Sequence, residues 1–111
     1  MKIFERLFSW ISRSRISSSV EVLRDEFAGN ESWKKMVDLY RPDWERRVDK
    51  DLYLSTVGNE EIALVMAARA GSVEWFYQKI GALDGRSPED VFKNEPAGAK
   101  IMKSLLMRMP D

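Results

Sequence analysis

The stretch that decides the fold is residues 59–92, NEEIALVMAARAGSVEWFYQKIGALDGRSPEDVF. Asn59 stands where a helix needs a cap, Glu60 and Glu61 follow in the first turn, and Arg69 falls in the last. Each charge suits the end of the helix dipole beside it, and Gly71 is the stop. Ser72 then caps a second helix whose Val73, Phe76, Tyr77 and Ile80 recur at i, i+3, i+4 and i+7, with Gly81 as its stop. Ser87, Pro88 and Asp90 mark a third start: a cap, a first-turn proline and an acid able to reach back. Two capped and glycine-stopped units followed by a third start predict successive helices.

The same grammar extends outward. Pro96 opens a last helix with Ala97, Ile101, Leu105 and Met109 in one row. Towards the N-terminus, "DLYLSTVG" (residues 51–58) alternates Leu52 and Leu54 like a strand but has no evident partner, and it reads as a connection. Trp33, Met36, Val37 and Tyr40 form a helical stripe that Asn30 caps, and Pro42 ends that helix or opens the next. Trp44 and Val48 suggest a short helix after it. Val20, Leu23 and Phe27 mark an earlier helix with a Ser18–Glu21 capping box and Gly29 as its left-handed stop. The chain begins with an amphipathic helix whose Ile3, Phe4, Leu7, Phe8, Trp10 and Ile11 share a face at about 100° per residue. That face reads as core or self-association surface, because a domain this small needs every apolar stripe.

With 111 residues, 44% apolar and 32% charged, the chain has the size and balance of one globular domain over residues 1–111. The expected architecture is all-α, a compact bundle of about five to seven short helices. Residues 1–50 supply N-terminal helices and residues 59–107 the better marked region. Basic and acidic residues number 18 each, so no global field draws the chain to nucleic acid or to a membrane. The local charge is uneven: basic residues dominate 1–15, and 51–81 leans acidic. Arg46 and Arg47 near Trp44, and Arg13 with Arg15, form no recognisable nucleic-acid motif and read as solvated surface. The absence of cysteine and of a long apolar run fits a cytoplasmic location.

With neither histidine nor cysteine, the chain has no Ser-His-Asp triad, thiol nucleophile or common zinc site. Its carboxylates sit at helix starts or on polar faces, and Gly81 and Gly85 match no phosphate-cradling loop. The expectation is a protein with no catalysis, cofactor or metal of its own.

The run through Ala68, Gly71, Ser72, Trp75 and Phe76 into "ALDGRSPEDVF" is similar to the toxin-binding domain of Xre/MbcA/ParS-type antitoxins. Leu83, Gly85, Arg86, Ser87, Pro88 and Val91 match that family's turn and short helix, while Asp84 replaces its usual first glycine. The resemblance spans roughly the C-terminal half, about Asn59 to Met107. It implies an antitoxin-like binding module that neutralises a partner, a RES-type, NAD-consuming toxin, by covering its active-site entrance. It also implies homo-oligomers. Promoter binding, which many relatives of that kind perform, has no helix-turn-helix to carry it in residues 1–50.

The candidate partner-binding residues are Trp75, Leu83, Arg86, Glu89 and Asp90. Trp75 sits off its helix's apolar row, so it either reaches a partner or packs on a neighbouring helix. Arg86 is either a partner anchor or an internal mate of Asp84 or Glu89. Two other readings stand beside the antitoxin-like one: a small immunity or adaptor protein for another partner, and a membrane-surface regulator using residues 1–15.

Overall fold

The structure, a computed structural model, describes residues 19–109. Among them six α-helices follow one another: α1 (Ser19–Asp25), α2 (Asn30–Glu45), α3 (Lys50–Val57), α4 (Glu60–Arg69), α5 (Pro88–Asn94) and α6 (Gly98–Arg108). Two 3₁₀ turns, Val73–Tyr77 and Gly81–Leu83, join α4 to α5. The described residues contain no strand, and one isolated antiparallel bridge pairs Ile80 with Arg86. The all-α expectation holds. The expected helix over residues 1–13, and Ser18 of the expected capping box, lie outside the described residues.

α4 is the centre of the fold because its six middle residues are apolar on every side. Ile62, Ala63, Leu64, Val65, Met66 and Ala67 are all buried, as a helix without a polar face must be. Asn59 caps it as expected, its Oδ1 accepting from the Ile62 N–H at 3.0 Å. α2, α3 and α6 pack around it. From α2, Trp33 and Trp44 enter this core, each 2% exposed. Their indole N–H groups donate to Glu61 Oε1 (2.9 Å) and Glu60 Oε2 (3.3 Å). The two first-turn acids thus serve the α4 dipole and also satisfy the polar edges of two buried rings. A second cluster lies beside this core, formed by Val20 and Leu23 of α1, Ala82, Leu83, Val91 of α5, and Ile101 and Leu105 of α6.

Several local expectations fail, each for a tertiary reason. Residues 51–58 are not a connection: they fall in α3 and its C-terminal glycine. Tyr53 and Val57 are buried one turn apart, and Gly58 closes the helix at φ 78° with its N–H on Leu54 O at 2.7 Å. Ser55, Thr56 and Val57 favour helix weakly, and packing against α4 overrides that preference. Pro42 neither ends nor opens a helix but sits inside α2, which continues to Glu45. Burial of Trp44 offsets the lost backbone bond there, and Asp38, whose carbonyl loses its i+4 donor, is exposed. Val48 belongs to no helix and is fully exposed.

Gly29 takes φ 106° as the N-cap of α2, while α1 has already ended at Asp25; Asn30 is the first residue of α2 and no side chain caps it. The expected helix after Ser72 is a 3₁₀ turn, in which residues three apart eclipse. Phe76 is therefore buried while Tyr77, next on an α-helical face, turns outward at 54% exposure. Gly81 starts the second 3₁₀ turn instead of stopping a helix, and Pro96 precedes α6 by two residues.

Candidate partner-binding surface

The residues of "IGALDGR" (80–86) close on themselves. Ile80 carries the junction: its N–H donates to Arg86 O, and its carbonyl accepts from Leu83 and Gly85, each at 3.0 Å. Reversing the chain within so few residues requires left-handed backbone at two successive positions, Asp84 (φ 59°, ψ 37°) and Gly85 (φ 80°). Gly85 adopts this at no steric cost, and Asp is among the side chains that tolerate it. Ser87 then caps α5, its Oγ accepting from the Asp90 N–H at 3.1 Å, and Pro88 occupies the first turn. Turn, cap and proline stand as the sequence predicts.

This frame holds Arg86 in one place. Its Nε donates to Asp90 Oδ2 at 2.9 Å, and its Nη1 donates to Glu95 Oε2 at 2.7 Å. A longer contact runs from Nη2 to Asp90 Oδ1 at 3.4 Å. The side chain of Arg86 stays about one-third exposed (32%), that of Asp90 42% and that of Glu95 27%. Asn94 donates to Asp90 as well, at 2.6 Å. Asp90 titrates below its ordinary range, chiefly through the hydrogen bond from Arg86 and then that from Asn94. The Arg86 guanidinium is correspondingly raised, by Asp90 first and Glu95 second. The expected mates Asp84 and Glu89 are elsewhere: Glu89 accepts from Lys93 Nζ at 2.9 Å.

The other candidates divide. Trp75 is partly buried and packs against both hydrophobic clusters, so it joins them and presents only part of its ring. Its 3₁₀ turn packs on α5, which brings Trp75 and the Arg86–Asp90 cluster onto adjoining elements. Leu83 does not reach the surface: it is 0% exposed within the second cluster. The leucine at this turn holds the turn down and offers no contact surface, contrary to the expectation from sequence. Glu89 and Asp90 are half-exposed on α5.

Two residues that matter here escape a sequence reading. Glu95 lies nine residues beyond Arg86, and no periodicity joins them. Asp84 reaches across the fold instead: its carboxylate accepts from the backbone N–H groups of Ser19 (3.3 Å) and Val20 (3.4 Å) at the start of α1. The one available signal was its presence where the resembled family has glycine.

Elsewhere, a groove of about 230 Å³ runs between α2 and α4, lined by Tyr40, Trp44, Leu64 and Ala67 with Asp43 and Arg47 on its polar side. Its guanidinium is engaged, since Arg47 Nε donates to Asp49 at 2.7 Å. The described residues hold no grouping of three acids that converges as metal ligands do, and no helix among them is long and apolar enough to cross a membrane. Compared with family models, with curated proteins and with solved structures, the chain finds no match.

Proposed function

We propose that the chain is a non-catalytic protein-binding module, antitoxin-like, which neutralises a partner toxin by direct contact. Arg86, Glu89 and Asp90, edged by Trp75, form the contact surface; following the resemblance, the partner is a RES-type, NAD-consuming toxin whose active-site entrance they cover. The observation that carries this reading is the fixing of Arg86 between Asp90 and Glu95 on a closed, capped turn. A one-third-exposed guanidinium and carboxylates already held in one arrangement lose little side-chain freedom on docking. Arginine and tryptophan are also the side chains that most often anchor interfaces.

Co-expression with a RES-type toxin from the same genome tests it. The wild-type chain should restore growth and cellular NAD, and the purified pair should associate in titration calorimetry. Arg86→Ala and Trp75→Ala should keep the helical circular dichroism spectrum yet each weaken binding by about thirtyfold, as interface anchors do. Full protection by both variants would reduce the turn to punctuation between helices.

A further inference from the structure

α2 is the longest described helix, sixteen residues and about 24 Å, and it gives only one side to the core. Trp33, Val37 and Trp44 are buried on that side, where α4 and α6 pack. The opposite side is exposed along its whole length. Glu31, Lys34, Lys35 and Asp38 occupy its first half. Leu39, Pro42, Asp43 and, just past the last turn, Arg46 occupy the second. At 69% exposure, Leu39 is the most exposed large apolar side chain of any described helix. The four charges before it take no ion pair within the chain, although each has an opposite charge three or four places away.

Their order suits a partner running the other way. Two copies of α2 laid antiparallel, with the two-fold axis between Asp38 and Leu39, bring Glu31 level with Arg46 of the second copy. The same placement brings Lys34 level with Asp43 of the second copy, and the symmetry repeats both pairs. Leu39 and Pro42 of each copy meet in the middle. The two Asp38 carboxylates are the like charges nearest the axis, and each lies about one turn from Lys35 of the second copy. A parallel pairing would set every charge against itself, which is strongly disfavoured.

The geometry points to a homodimer formed through the outer face of α2, antiparallel and two-fold, with Leu39 at its centre. A two-fold contact uses the same patch on both copies, so one self-complementary face is sufficient. Asp43 and Arg46 pair with each other at 2.8 Å within the chain, but both are more than three-quarters exposed. So exposed a pair is exchanged at little cost for pairs across the interface. One helix face per copy lies at the small end of interface sizes, so the dimer is weak, with a dissociation constant of roughly 10–100 µM. The main neighbours of α5 are α6 and the Val73–Tyr77 turn, not α2, so the dimer does not use the Arg86 surface. The inference stands whatever that surface binds.

Sedimentation equilibrium of the purified full chain, over about 5–500 µM, tests it. Wild type should pass from monomer to dimer across that range, and Leu39→Asp should stay monomeric throughout. Lys34→Glu turns two attractive pairs repulsive and should raise the dissociation constant at least about tenfold. Combining Lys34→Glu with Asp43→Lys restores both pairs with their signs exchanged, and should return the constant to within about threefold of wild type. All three positions are exposed, so the helical circular dichroism spectrum and the urea midpoint should stay close to wild type. A wild-type chain monomeric at every concentration would overturn the inference. So would a dimer indifferent to Leu39→Asp, or a loss on Lys34→Glu that the double exchange does not rescue.

Discussion

Gly98 separates what local propensity predicts from what packing demands. It is the first residue of α6, and its backbone is not in the left-handed region, so alanine there should help by propensity, by up to about 1 kcal/mol. The tertiary structure says the reverse. A Cβ placed on Gly98 would stand 2.2 Å from Phe92 O, and 2.8 Å from both Phe92 C and Val91 O. All three are backbone atoms of α5, so no side-chain rotation relieves the overlap. An ordinary carbon–oxygen contact needs roughly 1 Å more, which means moving α6 off α5, the pair that forms one wall of the second cluster. Overpacking of this kind costs about 1–3 kcal/mol and more where backbone must shift. We expect Gly98→Ala to lose about 2–4 kcal/mol net, and Gly98→Ser to behave alike. With a urea m-value of about 1–2 kcal/mol/M, the unfolding midpoint should fall by at least about 1 M. Urea denaturation followed by tryptophan fluorescence measures this directly, since Trp33 and Trp44 are buried. A variant as stable as wild type, or more so, would mean that α5 and α6 do not approach as described.

Two further predictions test smaller claims. Asp90 should titrate below 3.8 in a carbon-detected NMR experiment, and Arg86→Ala should move it back towards that value. Because its folded pKa is depressed, the stability it contributes is complete above the ordinary carboxylate range and is lost as pH falls through the folded value. Asp90→Asn should therefore flatten the acid limb of a stability–pH curve below about pH 4. Ser104 is 2% exposed, and its Oγ has no hydrogen-bond partner. Ser104→Ala removes an unsatisfied hydroxyl from a helix interior and should raise stability by about 0.5–1 kcal/mol in thermal or urea unfolding. A loss of 1 kcal/mol or more would show that the hydroxyl is bonded after all.

The elements that local chemistry controls were legible in the residues alone. Asn59, Ser72 and Ser87 each accept the backbone N–H that a cap should take, and Gly85 has the positive φ its turn requires. These depend on groups within three residues of one another, which a linear reading sees. The candidate site was partly legible for the same reason: its turn and α5 start are local, and Arg86 was singled out. Its second mate was not, since Glu95 meets Arg86 only after the chain has completed α5.

The sequence by itself therefore determined an all-α chain, the apolar α4 at its middle and the capped turn before α5. Tertiary packing decided the rest. It kept α2 helical past Pro42 because Trp44 had a core to enter, and it made α3 a helix because Tyr53 and Val57 could meet α4. It tightened the segment after Ser72 into a 3₁₀ turn, and it sent Asp84 to cap a helix more than sixty residues away. Propensities and caps differ by about 1 kcal/mol, whereas burying one large side chain is worth more, so wherever the two disagreed the core prevailed.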